Sequence, residues 1–127
     1  MRNGFKLLFL SIVFFFAAIG HGVAQTSVEQ GKVEERKIEY LINEVATLHD
    51  AHFIRNGTEY DSAKAADHLR LKRRNAGSRV KTADEFIKYC ATESSQSGEK
   101  YRIRFASGQT VEAAAFLREK LAAYKPD

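Results

Sequence analysis

Three serines in one short polar stretch, and a histidine and lysine one helical turn apart, are the residues of this chain whose types could do covalent chemistry. Ser94, Ser95 and Ser97 stand in Ser94-Ser95-Gln96-Ser97-Gly98, and each offers a hydroxyl nucleophile if a base is held against it. His68 and Lys72 are four apart, so on a helix they project from one face. A Ser/His or Ser/Lys pair would make a small serine-dependent hydrolase, with His68 as base for Ser95 or Ser97. Against this, no G-x-S-x-G elbow surrounds any of these serines, and a solvated lysine stays protonated at neutral pH. Loop serines more often serve turns and helix ends through local hydrogen bonds.

Two other constellations are weaker as chemistry and stronger as charge. His49 and His52, with Asp50 between them, could begin a metal site at the end of a helix, but zinc needs three or four ligands and no matching His or Cys pair follows. No metal or other cofactor is therefore expected. Arg70, Lys72, Arg73, Arg74, Arg79 and Lys81 have only Asp67 close by, a local excess that attracts anions. The competing reading is internal: Glu34, Glu35, Glu39 and Glu44 lie on an earlier helix whose packing nearby would neutralise both sets. Lys100, Arg102 and Arg104 form a second basic row, which guards an edge strand against unwanted pairing if that strand lies at the edge of a sheet.

The elements that must position these groups follow from periodicity. Ser27-x-x-Gln30 has the form of a capping box, and Val33, Ile38, Leu41, Ile42, Val45 and Leu48 then recur at helical spacing. Phe53-Ile54-Arg55 is a short strand or connection closed by the turn-former Asn56-Gly57. Asp61 or Ser62 caps a second helix to about Arg74, with Ala65, Ala66, Leu69 and Ala76 inward and Asn75-Ala76-Gly77 as its stop. Thr82-x-x-Glu85 opens a third, carrying Phe86, Ile87 and Cys90. After the serine loop the period changes to two: Tyr101, Ile103 and Phe105 alternate with Lys100, Arg102 and Arg104, which predicts a strand. Gln109-Thr110-Val111 returns as its partner, and Ala113 to Tyr124 forms the last helix. The expected fold is a helix-rich α+β single small domain with about four helices and a short antiparallel hairpin.

Ahead of this domain, Arg2 and Lys6 precede an apolar or small run, Leu7 to Ile19, and Gly22-Val23-Ala24 offers a cleavage site, the order of a secretory signal peptide. The run's 13 residues span about 20 Å as a helix against a hydrocarbon core of about 30 Å, so a cleaved leader over 1–24 is favoured over a retained membrane anchor. The leader holds two of the 20 basic and none of the 16 acidic residues, so the remaining 103 carry a net charge of +2 rather than +4. That balance, one cysteine and one proline exclude a two-domain protein, a disulfide scaffold and a highly charged disordered chain. Export makes nucleic acid a poor partner for the basic cluster. It leaves an envelope protein, an anionic glycan or a lipid headgroup, in the periplasm if the cell has an outer membrane.

Several pieces in order carry a family resemblance: Phe53-Ile54-Arg55-Asn56-Gly57 with Tyr60, His68-Leu69 with Lys72, Thr82-Ala83 with Phe86-Ile87, and Ser94-Ser95-Gln96-Ser97-Gly98 with Tyr101. Together they resemble the YfeK-like family of small exported bacterial proteins of unknown function, over nearly all of 25–127. The resemblance implies export and one compact domain, and no activity, cofactor or catalytic residue. The leading expectation is a non-catalytic envelope binding module using Arg55, His68, Lys72, Arg73, Arg74, Ser95 and Ser97. The hydrolase is the alternative, and a structural or chaperone-like partner protein, marked by a large exposed apolar patch, the third.

Overall fold

The computed structural model describes residues 22–126. The leader expected over 1–24 lies outside the described residues up to position 21, and 22–24 form the first turn of helix α1, Gly22–Ala46. Because this helix already runs from Gly22, Ser27 sits in its interior and cannot adopt the non-helical conformation of a cap. Its hydroxyl instead donates back to the Ala24 carbonyl at 2.8 Å, so the expected capping box does not form. Ile38, Leu41, Ile42 and Val45 bury the α1 face that the periodicity marks.

Strands β1, His52–Arg55, and β2, Thr58–Tyr60, pair antiparallel about Asn56-Gly57. Both turn residues take positive φ, 51° and 74°, the two-residue geometry whose twist matches that of the flanking strands. Helix α2, Ser62–Ala76, is capped by Asp61, which accepts from the Lys64 N–H at 2.8 Å, and stopped by Gly77 at φ 55°. Helix α3, Ala83–Cys90, opens with the Thr82/Glu85 capping box complete. Strands β3, Arg102–Arg104, and β4, Thr110–Glu112, form a second hairpin, and helix α4, Ala113–Ala123, follows directly.

The sheet is larger than the single hairpin expected from the sequence. Its order is β2-β1-β3-β4, because β1 and β3 pair antiparallel and join two hairpins into four strands. This pairing spans residues about fifty apart in the chain, which no local pattern encodes. It also corrects the reading of Lys100, Arg102 and Arg104 as guards of an edge strand, since β3 is central. Two of the row are paired in place, Arg104 with Glu59 and Lys100 with Glu93 at 2.8 Å, while Arg102 stands opposite Glu112 in the β3–β4 register.

Helix α1 packs against the other three helices, while α2 and α4 also reach the sheet at β1 and β4. Phe53, Tyr101 and Ile103 meet Leu69, Phe86, Ile87, Cys90 and Leu117 in one buried cluster. The Cys90 thiol is fully buried and its pKa is pushed up, burial outweighing the nearby Lys72, Arg73 and Arg79 charges.

Glu34, one of the α1 acids set against the basic cluster, is buried. It accepts the Ala83 N–H at 2.8 Å and Lys37 Nζ at 2.7 Å, so α1 supplies an acceptor for the free N–H groups that begin α3. Burial alone would raise this carboxyl's pKa, but those two donors carry it below the usual range. Among the described residues no helix is long and apolar enough to cross a membrane.

Candidate functional site

The candidate site lies where the inner face of β1 meets α2, and one strand residue decides its character. Phe53 faces the core, and with a side-chain period of two Arg55 faces the same way at the end of the strand. Its Nε is buried without a hydrogen-bond partner, and among the described residues Arg55 makes no ion pair. Such a donor is rare in a folded chain, because the hydration it gave up is not replaced.

Across from Arg55, α2 presents Lys64, Ala65, His68 and Leu69. His68 Nε2 lies 3.4 Å from the Tyr101 hydroxyl, with the two rings edge to face. Lys72, one turn further along α2, donates to that same hydroxyl oxygen at 3.0 Å and to the Glu93 carbonyl at 3.0 Å. With Lys72 donating, the Tyr101 proton is directed to His68, which fits a neutral imidazole accepting at Nε2. The electrostatics agree: burial lowers the His68 pKa, and the Arg55 and Lys72 charges lower it further.

Between these groups is a cavity of about 160 Å³. Phe53, Leu69, Ala91 and Leu117 supply apolar wall, Arg55, Lys64, His68 and Tyr101 supply polar groups, and no carboxylate lines it. Two other hollows differ in this respect. One includes Glu34 and Asp84 beside Lys37, and the other includes Asp50 beside His52 and Arg104, so each brings its own anions.

The serine loop lies next to this site and is engaged structurally. Ser94 is buried, and its hydroxyl accepts from Asn56 Nδ2 at 3.1 Å and from the Gln96 N–H at 3.3 Å. The Ser97 hydroxyl donates to Asn56 Oδ1. Both arms of the Asn56 amide are thus used to tie the first hairpin turn to the loop, one residue from Arg55. Ser95 is exposed. Among the described residues no hydrogen bond joins His68 to Ser94, Ser95 or Ser97.

Of the residues singled out in the sequence, Arg55, His68 and Lys72 come together, with Ser97 linked to them through Asn56. Arg73 does not join them: its guanidinium turns to α1 and pairs with Glu35 and with Glu39, the latter at 2.7 Å. The acidic helix therefore does take up part of the basic cluster, as does Asp67, 2.9 Å from Arg70. Arg74 is exposed in the last turn of α2, where a cation complements the helix dipole. His49 and His52 do not share a helix face, because α1 ends at Ala46; His49 is in the following turn, and His52 opens β1 with Nδ1 3.6 Å from Glu59. Among the described residues no group of three or more His, Cys, Asp or Glu side chains is arranged to hold a metal ion.

Sequence reasoning missed Tyr101 as a polar participant and Asn56 as more than a turn residue. The Tyr101 signal was present, since a tyrosine on the inward set of a strand needs a partner for its hydroxyl. For Asn56 no local signal exists, because its partners are 38 and 41 residues away.

A family model described as "Family of unknown function (DUF5329)" matches residues 32–125. The uncharacterized protein YfeK of Salmonella typhimurium is 40% identical over 68 residues, which is 54% of this chain and 57% of that protein. The chain thus spans a little over half the length of the curated relative it matches. No solved structure matches it.

Proposed function

From a chain that belongs to the DUF5329, YfeK-like family, whose function is unknown, we propose a non-catalytic binding module of the bacterial cell envelope that engages an anionic component through Arg55, His68 and Lys72. The observation that carries the reading is Arg55: an inward-facing cation with a buried, unpartnered Nε beside a cavity without a carboxylate. Elsewhere in the described residues, cations such as Arg73, Arg104 and Lys100 are met by glutamates of the same chain. A half-buried guanidinium whose Nε–H has no internal partner is suited to an acceptor supplied from outside, because ligand binding then replaces the missing hydrogen bond. The charged leader segment, residues 1–24, supports export, with the periplasm as the destination where the host has an outer membrane.

A binding role is favoured over a serine hydrolase built on Ser95 or Ser97, because His68 faces Tyr101 and hydrogen-bonds neither serine among the described residues, and the Ser97 hydroxyl is taken up by Asn56. The test is sedimentation of the purified protein with envelope fractions of its host across a salt series. Retention should fall as salt rises and should weaken in Arg55→Met, while Arg74→Gln leaves it nearly unchanged. Retention that ignores salt and the loss of Arg55 would end this reading.

A further inference from the structure

The cavity behind Arg55 narrows the ligand further, a step that rests on the anion-binding role proposed for that residue. A dry apolar cavity of about 150 Å³ is enough for a benzene ring. The space here, about 160 Å³ walled by Phe53, Leu69, Ala91 and Leu117, therefore matches one ring or a chain of about six carbons. Volume alone selects no charge. The polar groups do, since Arg55 and Lys64 are cations, no carboxylate is present in the wall, and the Arg55 Nε–H lacks an acceptor. A guanidinium matches a planar carboxylate with two parallel hydrogen bonds, the pairing for which arginine is suited over lysine. The position of Lys64 matters too, because this exposed residue puts the cationic rim at the surface, where an anion arrives.

We infer that the cavity between α2 and β1 seats the apolar body of a small carboxylate, about one ring in size, with the carboxylate paired to the Arg55 guanidinium. The apolar wall and the orphaned donor are complementary halves of one site: an apolar body without charge leaves Arg55 unpaired, and a bare anion leaves the cavity unfilled.

The test is a titration of the ¹⁵N-labelled purified protein with phenylacetate at fixed pH and salt, beside acetate and benzyl alcohol as the charge-only and ring-only probes. Phenylacetate should give saturable shifts at Ala65, His68, Leu69 and Ala91, with a Kd on the order of 1 mM or tighter for its roughly ten non-hydrogen atoms. Acetate and benzyl alcohol should each bind at least about tenfold more weakly. Arg55→Met should weaken phenylacetate about tenfold or more and leave benzyl alcohol unchanged. Ala65→Leu, which fills the cavity from a helix that tolerates leucine, should abolish both. Acetate binding as well as phenylacetate, or phenylacetate binding unaffected by Ala65→Leu, would overturn the cavity assignment while leaving salt-dependent envelope retention standing. Benzyl alcohol binding as well as phenylacetate would overturn the carboxylate assignment. Absence of shifts with phenylacetate up to tens of millimolar overturns the inference outright, and loss of salt-dependent retention as well would remove the anion-binding reading with it.

Discussion

Replacing Arg55 with methionine should make the unliganded protein more stable, a consequence opposite to that of most substitutions at inward-facing positions. The Arg55 Nε–H is buried without an acceptor, and a donor left in that state costs about 1–3 kcal/mol. Methionine keeps a flexible, unbranched stem of similar reach, so the packing of the arginine's methylenes is largely preserved. The side chain as a whole is half-buried, so the hydration its remaining nitrogens keep reduces the gain to about 1 kcal/mol. In a domain of this size that is roughly 4–8 °C in Tm. Urea unfolding at neutral pH reads it as a higher midpoint at unchanged slope. A second readout is independent of stability. Burial, then Arg55, then Lys72 hold the His68 pKa below its ordinary value, so Arg55→Met should move it upward but not fully back. In the wild type the unfolded chain binds the His68 proton more readily than the folded one. The neutral imidazole's contribution is therefore present above about pH 6.5 and is lost as pH falls through the lowered folded pKa. In Arg55→Met this window narrows. A variant less stable by more than about 1 kcal/mol, with His68 titrating as before, would refute the reasoning and make Arg55 a structural residue.

Glu34→Ala should destabilise by about 2–3 kcal/mol in denaturant unfolding, because it strands the Ala83 N–H that the carboxylate accepts, while Glu34→Gln, which keeps an acceptor, should cost about half as much. Since the folded Glu34 pKa is lowered, its contribution is present above about pH 4.5 and is lost as pH falls through the folded value; a stability–pH profile of Glu34→Gln should lack that share of the acid loss. Asn56→Gly keeps the positive φ of the turn but cuts the hydrogen bonds to Ser94 and Ser97, so it should cost about 1–2 kcal/mol and raise amide exchange over 94–98. Asn56→Ala should cost about 1 kcal/mol more, since alanine also resists that backbone conformation. The Cys90 thiol should react with a thiol reagent at least about 100-fold more slowly in the native protein than in urea, followed by absorbance; prompt native labelling would contradict its full burial.

Most of the local structure was legible because it is encoded over three or four residues. The Thr82/Glu85 box, the Asp61 cap, the Gly77 stop, the Asn56-Gly57 turn and the alternation from Tyr101 to Phe105 are each decided by neighbours in the chain, and each forms. The start of α1 was misread from Ser27 because a capping motif acts only where the helix actually begins. The role of Glu34 was hidden because its partner is the N-terminus of α3, 49 residues on, and not the basic cluster against which the sequence sets it.

By itself, the sequence determined a helix-rich α+β domain, the caps of its second and third helices, its first turn and the excess of cations on the second helix, since these depend on side-chain type and short-range period. Tertiary structure alone decided which cations stay unpaired. Pairing β1 with β3 placed β3 inside the sheet, and docking α1 on α2 brought Glu35 and Glu39 to Arg73. The same assembly left Arg55 facing inward with no carboxylate beside it. An ion pair forms between groups a few ångströms apart in space, whatever their separation along the chain, so a reading of local spacing could find the charges but not their partners.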